Sequence, residues 1–367
     1  MNASYANVTL QVSNHSASTL SLGGTSSRGG MWITDAELDF ITTKNRLTIG
    51  SFQTDQVFVN GISHTDTPVA VAFMSMNRIT FEGTASTFMT QVTIDAWNDV
   101  TVKSHVTAND GTLDVTADWT CNRTGHLRIS STGALFATNQ ELLLQAFDMT
   151  IDGPVESGIK PTTIRGCPRV SIDVGGDDST LTSDMRISQS KMRQIRSNNL
   201  TFKAINANIT VYEVVLSDTA QVTDRIFLDA DIMLSFYESS IYKSLRAMAP
   251  MMRILHDVKV TEGHMVLEAN KFNVSSGSYI TSEVENLYIE PLHNGYGKMW
   301  SDTPVTWASA SDLTFNVPMD VYGSGSLMFH ADSNEDADGV LSFDSTSKVR
   351  IIDSQVQQVV MTAAKGG

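Results

Sequence analysis

The oxygen-rich stretch at residues 332–339, Asp332-Ser333-Asn334-Glu335-Asp336-Ala337-Asp338-Gly339, has the spacing that metal chemistry needs. Asn334, Asp336 and Asp338 offer alternate oxygen ligands, and Gly339 offers the sharp turn that opens a calcium loop. Ser345 stands where the bidentate Glu of such a loop belongs, so a solvated acidic turn fits the same residues. Calcium is the one cofactor this sequence suggests. A second chemistry is glycan attachment. Asn2, Asn7, Asn14, Asn122, Asn199, Asn208 and Asn273 each begin an N-x-S/T sequon, and each is an acceptor if the chain passes through a eukaryotic secretory pathway.

Catalytic chemistry finds less support. Polysaccharide cleavage needs carboxylates converging on one face. Asp177-Asp178 after Gly175-Gly176 could begin such a cluster, as could Asp148, Asp152 and Glu156, yet all five read equally well as surface acids. The eight His residues show no i, i+2 or i, i+4 pairs, which disfavours zinc. No nucleophile elbow, Walker A or dinucleotide fingerprint is present. The only cysteines, Cys121 and Cys167, form no disulfide framework. They pair if the fold brings their Cα atoms within about 7 Å, and otherwise are two free thiols. Carbohydrate recognition would need an aromatic strip, for which Trp97, Trp119, Trp300, Trp307 and Tyr322 are the candidates.

The elements that must position these residues are short strands. Phrases such as RLTIGS, QVFVNGI, QVTIDAW, TLDVTAD, HLRISS, NITVYEVVL and HMVLEAN alternate apolar with polar residues. That period of two marks half-buried strands. Turn dipeptides separate them, among them Asn60-Gly61, Asp110-Gly111, Asp152-Gly153 and Asp338-Gly339. Residues 239–258, SSIYKSLRAMAPMMRILHDV, depart from the pattern. Their helix formers around Pro250 suggest a short helix or a protruding loop with a patch at Met248, Met251 and Met252, or an irregular coil filled by methionine.

Residues 111–135 return at 325–349 without a gap: Gly111 falls on Gly325, Leu113 on Leu327, Ala117 on Ala331, Gly125 on Gly339 and Leu127 on Leu341. A looser echo relates FITTKNRLTI to YITSEVENLYI. A barrel or sandwich has no reason to repeat itself in this way, whereas stacked coils do. Small residues also follow strand phrases at Ala96, Ala117, Ala137, Ala146, Ala207, Ala269 and Ala331, as the corners of a narrow interior require. The fold expected is all-β, a right-handed parallel β-helix (solenoid) of about 15–18 coils with roughly 20–25 residues each. Residues 1–30 are expected to be an N-terminal cap or linker. Residues 31–367 are then one continuous solenoid holding roughly one and a half copies of a repeat of about 214–240 residues.

The passages LTIGSFQTDQVFVNGIS and RITFEGTASTFMTQVTIDAWNDVTVKSHVTANDGTLDVTAD resemble filamentous-haemagglutinin-like β-helical repeats of large surface and secreted proteins. The likeness covers most of residues 47–144 and again 286–360. It implies a right-handed β-helix in surface fibres, with adhesive or structural work and no catalytic residues.

Composition bounds the partners. A net charge of −15 disfavours nucleic-acid backbones, which need clustered Lys and Arg. No run approaches the ~20 apolar residues of a membrane span. Residues 1–30 lack the basic and apolar regions of a signal peptide, so the chain is either intracellular or a piece of a longer processed precursor, and the tandem echo favours the second. The function expected is a non-catalytic structural or adhesive segment of an extracellular or cell-surface filament, whose partners are other copies or filament subunits and glycans. Alternatives are a carbohydrate-binding or polysaccharide-degrading β-helix, and an intracellular or virion scaffold rod.

Overall fold

A computed structural model describes residues 2–3, 7–12, 18–26, 28, 30–64, 69–275 and 278–290. Beyond these it describes 292, 297–300, 305–309, 313–315, 319–322, 327–331, 341–343, 349–351 and 359–362. The protein is mostly strand, and its strands pair in parallel. The alternating apolar code explains this: each strand has one face for a core, and parallel stacking lets that face continue from turn to turn. The chain separates into two compact units, residues 1–168 with 193–200, and residues 169–192 with 201–367.

In the first unit the chain visits three ladders in rotation. The first runs through Val8–Leu10, Arg46–Ser51, Ala70–Ser75, Val92–Ala96, Leu113–Thr116, Leu142–Ala146 and Thr162–Gly166. The second has seven strands, from Met31–Ile33 and Thr19–Gly23 through Gln56–Asn60, Arg78–Phe81, Asp99–Val102 and His126–Ile129 to Asp148–Ile151. The third runs from Ser63–His64 through Ser86–Phe88, His105–Ala108 and Ala134–Ala137 to Val155–Glu156, which pairs with the start of Ile195–Ala204. A chain that returns to the same ladder by parallel steps is a β-helix. Val8–Leu10 and Thr19–Gly23, inside the segment expected as a cap or linker, already supply rungs.

The second unit repeats the scheme. One ladder runs from Val222–Ala230 through Leu245–Met248, Met265–Glu268 and Leu287–Glu290 to Leu313–Phe315 and Leu341–Phe343. A nine-stranded ladder begins with Met185–Ile187, Ile172–Val174 and Asn208–Val211. A six-stranded one begins with Ser240–Tyr242 and Val258–Val260. Seven and nine rungs on the longest ladders of the two units agree with the 15–18 coils expected.

The register makes the core. Leu20, Val57, Ile79, Val100, Leu127 and Met149 stand one above another on the second ladder of the first unit, all fully buried. Burial of each such side chain contributes about 1.5–3 kcal/mol against the entropy of ordering the chain. All seven corner alanines, from Ala96 to Ala331, are buried as the narrow interior demands. The echo at residues 111–135 and 325–349 does not fall on corresponding ladders. Leu113–Thr116 and His126–Ile129 lie on the first and second ladders of the first unit, whereas Leu327–His330 lies on the six-stranded ladder of the second unit and Leu341–Phe343 on the ladder that begins with Val222–Ala230, although Ala117 and Ala331 are both buried.

Two expectations are corrected. Residues 239–258 form neither helix nor protrusion but regular rungs, Ser240–Tyr242, Leu245–Met248, Met251–Ile254 and Val258–Val260. In-register neighbours override helix propensity here, with Met252 buried and Pro250 placed at a corner where its missing N–H costs nothing. Some turns are also longer than expected. Hydrogen bonds join side chains 21 residues apart at Asn98–Asn77 but 29 apart at Arg128–Asp99, because the loop 118–124 is inserted into that turn.

Candidate functional site

The inserted loop carries the densest chemistry in the first unit, at the corner between its first and second ladders. Asp118 begins it in the left-handed region, φ 64°, which Asp tolerates better than most residues. Its buried carboxylate accepts hydrogen bonds from the backbone N–H groups of Asn122 and Arg123, both at 2.9 Å. Burial pushes the Asp118 carboxyl above its ordinary range, and these two N–H donors oppose that shift. The loop is tied to the coil beneath it by Asp118 N–H to Asn98 O, 2.8 Å, and Trp119 N–H to Ala96 O, 2.9 Å.

Cys121, also in the loop with φ 52°, forms a disulfide with Cys167, their Cα atoms 5.4 Å apart. Cys167 directly follows Thr162–Gly166, so the bridge passes over the rung Leu142–Ala146 between them. Of the two readings of these thiols, the pair is the one found.

Beside the loop, three aromatic rings form a surface shelf. The Phe52 ring lies 5.4 Å from Trp97 and 5.6 Å from Trp119, each at 30° between planes, and Trp119 is 49% exposed. The rings come from different turns of the coil and meet because each follows a first-ladder strand at the same corner. Next to them runs a polar ladder. Asn98 Nδ2 donates to Asn77 Oδ1 at 3.2 Å, and Thr124 Oγ1 lies 2.9 Å from Asn98 Oδ1. Asp55, Met76, Asn77, Trp97, Asn98, Thr120 and Asn122 line an open groove of about 500 Å³. Arg78 and Arg128 flank Asp99, at 3.0 and 3.3 Å, one position further round. A groove lined by the Trp97 ring together with amides and a carboxylate suits a sugar ring, which carries C–H faces and equatorial hydroxyls.

The other residues singled out are dispersed. Asn7 and Asn122 are exposed. Asn199, Asn208 and Asn273 are half-buried in strands, and the Oδ1 atoms of Asn199 and Asn208 are enclosed without a partner. The Asn2 side chain, Asn14, and the calcium candidates Asn334, Asp336 and Asp338 lie outside the described residues. Trp307 is buried in the core, edge-on to Phe272, while Trp300 and Tyr322 are register partners whose side chains are outside the described set. Asp178 pairs with Lys191 at 3.3 Å and Glu156 with Arg196 at 3.5 Å; Asp148 binds the N–H of Met149, and Asp177 and Asp152 face solvent. Among the described residues, no group of three or more His, Cys, Asp or Glu could hold a metal ion, and no helix is long and apolar enough to cross a membrane.

Phe52 and the Asp55–Asn77–Asn98 corner were not singled out from the sequence. Asp55, Asn77 and Asn98 recur at the coil period itself, which would have aligned them. Compared with known protein families, with curated proteins and with solved structures, the chain matches none.

Proposed function

We propose that this chain is a non-catalytic, structural or adhesive β-helical segment of an extracellular or cell-surface filament, of the kind its resemblance to filamentous-haemagglutinin-like repeats implies. The Cys121–Cys167 disulfide carries the reading, because such bonds persist in oxidising compartments and are rare in the cytosol. Parallel ladders supply the mechanical part. Force along the stack loads many rungs of backbone hydrogen bonds together, and the outward Ser, Thr and Asn positions leave the surface polar. Its partners are further copies or filament subunits, and glycans.

The test is to isolate the protein from its native source under thiol-blocking conditions. Peptide mapping of a surface or secreted fraction should recover the Cys121–Cys167 cross-linked peptide. Recovery of both cysteines reduced, from a cytosolic fraction, overturns the reading in favour of an intracellular scaffold.

The aromatic shelf beside Asp55, Asn77 and Asn98 favours a second reading, a carbohydrate-binding surface. Binding of soluble oligosaccharides that quenches Trp97 and Trp119 fluorescence would support recognition; no quenching at millimolar sugar would remove it.

A further inference from the structure

We infer that Asn122 is a glycosylated residue and that the first sugars of its glycan lie over the shelf formed by Trp119, Phe52 and Trp97. The inference rests on the secretory reading and deepens it by choosing one sequon and one occupant for the groove.

Position separates Asn122 from the other sequons in regular structure. On a ladder strand the nearest outward neighbours stand about 4.8 Å above and below. Asn273 is held between Arg253 and Trp300 in this way, and Asn208 adjoins Met233. A glycan there would have to displace its neighbours. Asn122 stands exposed on a loop inserted into the coil, outside the ladder strands Leu113–Thr116 and His126–Ile129.

Local geometry presents its amide. Asn122 Oδ1 receives the N–H of Thr124 at 3.2 Å and lies 2.5 Å from Thr124 Oγ1. Both contacts engage Oδ1 and leave Nδ2 outside them. In the transfer, Nδ2 forms a bond to C1 of a lipid-pyrophosphate-linked oligosaccharide. The C1–O bond breaks with its electron pair going to the lipid pyrophosphate, and one amide proton passes to a base of the transferase.

A glycan here would also cover the one exposed ring of the shelf, Trp119. Trp119 precedes Asn122 by three positions, and its half-exposed ring abuts Phe52, which also meets Trp97. Asn122 itself lines the groove with Trp97, Asn98, Asn77 and Asp55. A sugar linked at Nδ2 would enter this groove, which the Trp97 ring lines, without any further ligand. Its C–H face would cover apolar surface while the amides and the Asp55 carboxylate meet its hydroxyls. The loop is already fixed by Asp118 and by the disulfide at Cys121, so little ordering is needed.

The experiment expresses the full chain behind a secretory leader in glycosylating eukaryotic cells and measures occupancy of each sequon by peptide mass spectrometry. Asn122 should be nearly fully occupied, and Asn199, Asn208 and Asn273 far less. Thermal unfolding is then compared for the glycosylated protein, Asn122→Gln, Trp119→Ala and the double variant. Trp119 is a half-exposed loop residue, so its truncation leaves the coil intact. The glycan should raise the melting temperature by about 2–4 °C in the Trp119 background and by nothing in the Ala background. An empty Asn122 beside an occupied Asn7, in secreted and disulfide-bonded protein, overturns the inference and leaves the secretory reading standing. An equal glycan effect with and without Trp119 overturns the shelf contact. Native protein with reduced cysteines and no glycan at any sequon overturns the secretory reading, and the inference falls with it.

Discussion

Cys121 and Cys167 are 46 positions apart in the chain, and their Cα atoms are 5.4 Å apart. Between them the chain completes the rung Leu142–Ala146, so the bridge links coils that are not neighbours on the first ladder. Closing a loop of this length removes about 4 kcal/mol of conformational freedom from the unfolded chain in the entropy model. Reduction, or Cys121→Ser with Cys167→Ser, should cost the first unit about 2–4 kcal/mol. Denaturant unfolding with and without reductant measures this. Coincident unfolding curves would mean that the loop is held without the bridge.

Asp118 should matter nearly as much. It combines a left-handed backbone with a buried carboxylate on two N–H donors. Asp118→Ala loses both bonds and places a residue with little preference for that φ, for an expected cost of about 2–4 kcal/mol. Asp118→Asn keeps the backbone preference and one strong acceptor, so it should fall between. Because Trp119 is adjacent, its fluorescence maximum should shift red in the Ala variant before global unfolding. An unchanged spectrum would show that the loop is fixed by other contacts.

Successive coils approach closely where glycine follows the second ladder. A Cβ at Gly153 would collide with the Gly133 carbonyl oxygen, and one at Gly133 with the carbonyl of Val102. These are backbone atoms, which cannot turn aside. Gly153→Ala should therefore destabilise the first unit by about 1–3 kcal/mol, even though Ala usually stabilises by restricting the unfolded chain. Thermal unfolding decides it, and a neutral or stabilised variant would mean that the corner yields.

The architecture was legible because its code is local. Alternation in RLTIGS or HLRISS names the buried face, and the small residues at Ala96, Ala117 and Ala146 mark corners whichever strands are neighbours. The inserted loop was less legible. Its fixed shape comes from Asp118 reaching Asn122 and Arg123, and from a cysteine partner two rungs away, neither of which strand periodicity encodes. The Met248–Met252 segment misled for the opposite reason. Its local preference is helical, but its strands have in-register neighbours that only the stacked coil supplies. Phe52, Trp97 and Trp119 are separated by 45 and 22 positions, so their contact appears only after the chain is wound at its own period.

Asp95 gives the fold a pH dependence of defined sign. It lies in Val92–Ala96 at 7% exposure, in register with Met74 and Thr116, with Arg46 and Asp114 nearby. Burial raises its carboxyl from 3.8 to about 6, more than the Arg46 charge and the Thr116 hydrogen bond lower it, and Asp114 adds to the rise. Between pH ~4 and ~6 the folded state then keeps a proton that the unfolded chain has released. Stability therefore falls as pH rises through this window, and the full penalty, on the order of 3 kcal/mol, is present at neutral pH. Asp95→Asn removes the charge and retains the shape. It should match or trail the parent at pH 4 and exceed it by about 1–2 kcal/mol at pH 7, with a flatter profile between. Denaturant midpoints at half-unit steps from pH 4 to 7.5 test the sign. A variant whose deficit or advantage is constant across that range would show that Asp95 titrates at its ordinary value.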